Sequence, residues 1–312
     1  MTTTLYWLQG GGCGGDTWAL MNVESPHVSE LLALLGLEVL WHPTLSNGNP
    51  AQYRELMAGI IAGVQPLDVL VVEGAIIRGP GGTGIYDSLD GQPKKDLVSK
   101  LSKQARFVIA AGTCASFGGI GANGEIEATG LQFHKEQRGG FLGAKFNSRS
   151  GYPVINLPGC PCTGDVISGT LTALLSGIPL PLNEFNAPRQ WYDLLVHQGC
   201  IRNEYHEYRI EEADFGKRGC LFFHMGCRGP LAHGPCNKML WNRRNSKTRA
   251  GVPCVGCTQP DFPHSFPFFQ TRNIADIPLE LPEGVDRAHY LAYKGMAAAA
   301  APDRLKKRAI RV

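Results

Sequence analysis

Seven side chains that favour soft metals, His197, Cys200, Cys220, Cys227, Cys236, Cys254 and Cys257, crowd into about sixty residues of this chain. No other feature restricts its possible folds as much. From Trp191 onward the hydrophobic periodicity is poor and Gly, Pro and aromatic residues are frequent, a pattern that rarely buries enough apolar area to fold alone. Metal groups held by those side chains would supply the missing order. Disulfides are the competing use of ten cysteines. The start MTTTLYWLQG offers no charged n-region, no apolar h-region before a cleavage site and no twin arginine, so the expectation is a cytoplasmic chain with reduced thiols. Closely spaced Cys and His then favour metal or redox chemistry.

The remaining 180 or so residues at the N-terminal end alternate strand, loop and helix: LYWLQ, then a helix from about Asp16; LEVLWHP, then a helix through Tyr53; DVLVVEGA; RFVIAAG; VINLPG, then VISGTLTALLSG. Apolar β runs separated by helices predict an α/β domain with a parallel sheet. Right-handed crossovers would open every loop after a strand onto the same sheet edge, where ligands bind in such folds. Cys13, Cys114, Cys160 and Glu73 all sit at strand ends, which predicts one shared site. The proline- and asparagine-rich stretch 179–191 breaks the pattern, giving an expected domain 1–180 and a second, 181–312.

A chain of 312 residues with 43% hydrophobic residues is long enough to bury a core. A net charge of +3 from 30 Lys and Arg against 27 Asp and Glu excludes a broad nucleic-acid footprint. The basic run 242–249 reads as a solvated or interface loop. No apolar run reaches the roughly 18 to 20 residues needed to span a bilayer.

Each motif has a rival. Gly10, Gly12 and Gly15 match the dinucleotide pattern GxGxxG after a strand. The fingerprint also wants an acidic residue closing the second strand, where this chain has His42 and Pro43. The loop 79–84, GPGGTG, lacks the Lys and Ser/Thr of a phosphate-binding loop. Cys13, Cys114 and Cys160 can supply three thiolates to iron, with Asp16 placed as a fourth, harder ligand; Asp16 equally suits the N-cap of the helix that follows. His197, Cys200, Cys220 and Cys227 give one nitrogen and three sulfurs, and Cys236, Cys254 and Cys257 give three sulfurs. Zinc would accept four-ligand sets of this kind, whereas three thiolates alone fit a three-iron cluster better. His224, His233 and His264 belong to a type that is more often a satisfied structural residue than a ligand, and they are assigned no role.

The segments VVEGAI, GTCASFGGI, NLPGCP, VHxxC, KRGCLFFHMGCRGP, HGPC and PCVGC together resemble the small subunit of nickel-iron hydrogenases, over nearly the whole chain. The resemblance implies a flavodoxin-like N-terminal domain and an irregular C-terminal domain organised by iron-sulfur clusters. By motif it implies a proximal 4Fe-4S cluster on Cys13, Asp16, Cys114 and Cys160, a distal 4Fe-4S cluster on His197, Cys200, Cys220 and Cys227, and a medial 3Fe-4S cluster on Cys236, Cys254 and Cys257. Cys162 is left over. Asp16 replaces the family's second cysteine at the proximal site, a variant that looks like the actinobacterial-type, oxygen-insensitive, high-affinity group. The extra cysteines of a six-cysteine proximal cluster would fall at Gly15 and Gly119. The span CLFFHMGC is one residue longer than the common form. The chain lacks the paired CxxC motifs that bind nickel and iron. The resemblance therefore implies a large-subunit partner that cleaves hydrogen at a nickel-iron centre, an acceptor of unknown identity near His197, and higher-order assembly of heterodimers. Two other classes stay open: an iron-sulfur subunit of a quinone-reducing complex, and a zinc-stabilised interaction module.

Overall fold

The computed structural model describes residues 2–263 and 273–306. Five parallel strands form the central sheet: β1 (Thr3–Gln9), β2 (Leu37–Trp41), β3 (Val69–Glu73), β4 (Phe107–Ala111) and β5 (Ile155–Leu157). Their spatial order is β2-β1-β3-β4-β5, the doubly wound order of flavodoxin-like folds. β3 and β4 are buried at every position, as continuous apolar runs covered by helices on both faces require. Those helices are α1 (Gly15–Met21), α2 (Val28–Leu34), α3 (Pro50–Ile61), α4 (Lys94–Gln104), α5 (Gly112–Phe117) and α6 (Gly164–Leu175). The start of α3 shows how local sequence fixes an end. Asn49 Oδ1 accepts the N–H groups of Ala51 and Gln52, Gln52 reaches back to Asn49 N, and Pro50 occupies the first helical position.

The chain leaves β1 for β2 and then returns to β3 on the other side of β1, so the loops after β1 and β3 flank the topological switch point. Here the glycine loop packs against the protein itself. Gly74 has φ +86°, and a Cβ on it would lie 2.9 Å from the carbonyl carbons of Gly10 and Gly11. A Cβ on Gly10 would meet Ala75 O at 2.7 Å. Gly11 and Ala75 exchange backbone hydrogen bonds at 2.9 Å each. These contacts explain the glycines without a dinucleotide.

Two compact units divide the chain: one runs to Trp191 and includes Thr258–Pro263, and the other holds Tyr192–Cys257 and the described residues from 273 on. The break falls at the end of the 179–191 stretch rather than at residue 180. The reason is packing within the first unit: Leu180, Ala187 and Trp191 are buried, and β5 binds the stretch through Asn156 N–H to Asn186 O (2.9 Å) and Asn156 Nδ2 to Phe185 O (2.8 Å).

The second unit has little regular structure: the short helices α7 (Asn203–Glu207) and α8 (Phe222–Met225), the longer α9 (Arg287–Ala300) and α10 (Asp303–Lys306). Residues 307–312 lie outside the described residues, as does His264. The buried Glu211 ties α9 down, accepting from Tyr290 OH (2.7 Å), pairing with Lys294 Nζ (3.1 Å) and contacting His224 Nε2 (2.7 Å). Small apolar groups complete the packing, and cysteines belong to them. Val196, Ala232 and Cys254 form one such group with Cys227 and Cys236; Cys220 joins Phe222, Phe223 and Tyr290 in another. Among the described residues no helix is long and apolar enough to cross a membrane.

Candidate metal centres

In the first unit, Cys13 follows β1, Cys114 lies in the first turn of α5 after β4, and Cys160 follows β5. All three leave parallel strands at the same edge. Burial pushes the Cys114 thiol up to about 11, and the charges of Cys160, Asp16 and Cys13 push in the same direction. The four donors therefore share one neighbourhood, in which the other three disfavour the charged form of Cys114. Positions 15 and 119 abut the thiols. A Cβ on Gly119 would lie 2.6 Å from Cys114 Sγ, and one on Gly15 would lie 3.2 Å from Cys13 Sγ.

Asp16 is not the helix cap: Gly14, in the left-handed region, is, and no side chain caps α1. Asp16 is buried inside the first turn, where its Oδ1 accepts the Cys162 N–H at 2.7 Å. Its Oδ2 crowds Gly112, on which a Cβ would stand only 2.2 Å away. Gly112, at φ +81°, is thus required by both conformation and space. Burial, with the Glu73 charge adding to it, raises the Asp16 carboxyl to about 7, while the Cys162 N–H pulls the other way. Burial thus disfavours the charged carboxylate, and a cation beside it would offset that cost. The Cys162 Sγ is buried and turned to Thr163 O at 3.5 Å.

Glu73, at the end of β3, is an acceptor for the start of α1. It is 1% exposed and accepts from Asp16 N (2.9 Å), Thr17 N (3.1 Å), Thr17 Oγ1 (2.5 Å) and Trp7 Nε1 (3.0 Å). It braces the start of α1, and with it Asp16, on the end of β3. In Glu73→Gln the amide NH2 would face donors in place of an accepting oxygen, at a cost of about 2 kcal/mol. The protection of β1 and β3 amides against hydrogen exchange should fall about 30-fold; unchanged protection would disprove the brace.

The second set converges in the other unit. His197 and Cys200 share a single 3-10 turn, Val196–Gly199, closed by Cys200 N–H to His197 O (3.0 Å). Cys220 is held by backbone pairing with Ile210 and Glu212. Between Cys220 and Cys227 the chain forms α8 and turns at Gly226, φ 61°, and both cysteines line one cavity. His197, Cys200, Cys220 and Cys227 all line one small cavity. Burial, then the Cys227 and Cys200 charges, raises the Cys220 thiol; burial raises Cys227 to about 11 and lowers His197. His206 was not singled out by sequence. Its Nδ1 lies 3.4 Å from Cys220 Sγ, and its ring stacks on Phe223 and meets His197 edge-on at 5.1 Å. A lone histidine in a short helix carried no signal of this role.

Cys236, Cys254 and Cys257 form the third set. Burial, then Cys257, raises the Cys236 thiol to about 11, with Lys247 opposing. Cys254 stands well above its ordinary value through burial and then Cys227, Cys257 and Cys236. Gly256 N–H donates to Cys254 Sγ (3.4 Å) and Lys247 Nζ to Cys257 Sγ (3.7 Å). The second and third sets are joined directly: Cys254 N–H donates to Cys227 Sγ at 3.2 Å, and Arg228 N–H to Cys254 O at 2.8 Å. None of the ten cysteines is in a disulfide. Among the described residues no group of three or more His, Cys, Asp or Glu converges tightly enough to hold a single metal ion.

Two protein families match the chain: the C-terminal part of the NiFe/NiFeSe hydrogenase small subunit over residues 192–270, and the 20 Kd subunit of NADH ubiquinone oxidoreductase over residues 13–174. Among curated relatives, the F420 non-reducing hydrogenase I small subunit of Methanosarcina mazei is 30% identical over 286 residues, covering 84% of this chain and 73% of that protein. The periplasmic [NiFe] hydrogenase small subunit of Solidesulfovibrio fructosivorans is 28% identical over 278 residues, with 83% and 78% covered. Among solved structures, the actinobacterial-type NiFe-hydrogenase from Ralstonia eutropha H16 superposes with a TM-score of 0.78 at 25% identity, covering 99% of this chain and 94% of that one. The [NiFeSe] hydrogenase of Desulfovibrio vulgaris Hildenborough gives 0.75 at 28% identity, with 87% and 98% covered. With hydrogenase small subunits matching both units along nearly its whole length, the chain belongs to the nickel-iron hydrogenase small subunits, the iron-sulfur electron-transfer components of these oxidoreductases, which pair with a nickel-iron large subunit.

Proposed function

We propose that this chain relays electrons from hydrogen oxidised on its large subunit through three clusters to an acceptor. The proximal 4Fe-4S cluster would be held by Cys13, Asp16, Cys114 and Cys160, the medial 3Fe-4S cluster by Cys236, Cys254 and Cys257, and the distal 4Fe-4S cluster by His197, Cys200, Cys220 and Cys227. The first unit would carry the proximal cluster and the second the other two. Such clusters, when bound, take up and pass on single electrons. The chain's residues hold the sulfurs at fixed separation, keep water away and place N–H donors on them. The observation that carries the reading is the direct link between the second and third sets, Cys254 N–H on Cys227 Sγ. It gives two ligand sets one short connection, as a relay needs and separate structural metal sites do not. The ring sequence His197, His206, Phe223, Tyr290, with centroids 5.1, 5.7 and 4.9 Å apart, supports an exit for electrons on the His197 side.

Cys13 is exposed, and so are Trp18 on α1 (64%) and Ile120 (68%) in the turn after α5. A large-subunit surface over these groups would seal the proximal site from water and make the heterodimer obligatory. Asp16 in place of a thiol, with Gly15 and Gly119 at the supernumerary positions, supports the actinobacterial-type, oxygen-insensitive group and excludes a six-cysteine proximal cluster. Ten thiols outside any disulfide support a cytoplasmic location. The test is metal and sulfide analysis of the anaerobically purified heterodimer with low-temperature electron paramagnetic resonance. Roughly eleven irons per copy of this chain are expected, with nickel and further iron in the partner. Zinc in place of iron, or no nickel-containing partner, would sink the proposal.

A further inference from the structure

We propose that Arg202 is the charge partner of the group held by His197, Cys200, Cys220 and Cys227 and sets how readily that group takes an electron; this rests on the reading that the group is an iron-sulfur cluster. Arg202 is 8% exposed and lines the same cavity as the four ligands. Its side chain donates only to neutral carbonyls: Nε to Thr248 O (2.7 Å), and Nη1 to Lys217 O (2.7 Å) and Gly219 O. None of the Asp and Glu side chains among the described residues forms an ion pair with it. The buried Glu211 of the same unit is taken by Lys294, His224 and Tyr290.

A guanidinium cannot shed its proton to escape burial. Buried charge is strongly unfavourable unless an opposite charge is supplied. The carbonyls satisfy its hydrogen bonds and leave its charge uncompensated. Three thiolates on the cavity wall, with a neutral imidazole as the fourth ligand, give the loaded site the missing negative charge, which deepens on reduction. A fixed cation beside it favours the reduced form and raises the reduction potential. The backbone adds to this, since Arg202 N–H donates to Cys200 Sγ at 3.4 Å. The same fork braces the approaches to two ligands, Lys217 and Gly219 just before Cys220 and Thr248 ahead of Cys254, which makes Arg202 a positioning residue as well.

Charge and bracing separate in two variants of the purified heterodimer, Arg202→Gln and Arg202→Lys, compared by iron content and by redox titration followed with electron paramagnetic resonance. Glutamine keeps donors and loses the charge; lysine keeps the charge and loses the fork. The distal signal should titrate at lower potential, or be lost, in Arg202→Gln and stay near the parent's in Arg202→Lys, with the proximal signal unmoved. A parent-like potential in Arg202→Gln, or equal loss of distal iron in both variants, overturns the proposal. A parent protein with no iron at this site would instead sink the cluster reading itself.

Discussion

Stripping iron from the heterodimer with a chelator under anaerobic conditions should unfold residues 192–257 while the five-stranded sheet survives. The two units differ in what holds them. The sheet has an apolar core of its own, with Tyr6, Leu70, Leu97, Leu101, Val108 and Leu131 among its buried members. Such a core can supply the usual 5–15 kcal/mol of a domain. In the second unit the corresponding groups contain the thiols themselves: Cys254 with Cys227 and Cys236 beside Val196 and Ala232, and Cys220 beside the two phenylalanines. Burial raises Cys220, Cys227, Cys236 and Cys254 alike. An emptied site must therefore either bury polar thiols around a void or let water in. Structural metal sites can contribute on the order of 10–16 kcal/mol to folding, more than this thinly packed segment can replace.

Hydrogen exchange reads the outcome directly. After chelation, amides between 192 and 257 should lose roughly a thousandfold or more of their protection, corresponding to about 4 kcal/mol. Those of β1, β3 and β4 should change little, and limited proteolysis should leave a fragment close to residues 1–191. Retained protection in 192–257 would show that the polypeptide alone orders this unit.

That division of labour also decides what the sequence could reveal. Parallel strands announce themselves as unbroken apolar runs such as DVLVV and RFVIAA, because both faces of the sheet are covered. Their C-terminal edge then follows from crossover handedness, so Cys13, Cys114 and Cys160 could be placed together in advance. The domain boundary was less legible, since the Asn156 contacts that draw 185–186 onto β5 join residues 29 or more apart and leave no local pattern. The second unit is legible only through its Cys and His residues. Its backbone follows the spacing of Cys and His rather than any periodicity, which is why the contacts of Arg202 and His206 emerge only in three dimensions. Glu73 shows the limit most clearly: a carboxylate at a sheet edge looks available for chemistry, yet four donors occupy it.

Replacing Asp16 should alter the proximal cluster, and two substitutions assign the cause. The carboxylate has two possible duties, ligation and acceptance of the Cys162 N–H at 2.7 Å. Asp16→Asn keeps an oxygen for that N–H and removes the anion. If Asp16 is a ligand, this variant should lose about one iron per chain and show a three-iron signal, because an amide is a poor substitute for a carboxylate on iron. Asp16→Cys restores an anionic ligand of softer type and forfeits the hydrogen bond, at about 1–2 kcal/mol. It should keep its iron and change its spectrum, with a lower potential as thiolate donates more charge to iron. The two variants thus move apart under the ligand reading. Parent-like iron content and spectra in Asp16→Asn would leave Asp16 only the task of tying α1 to the loop that carries Cys160, with the fourth ligand to be sought elsewhere.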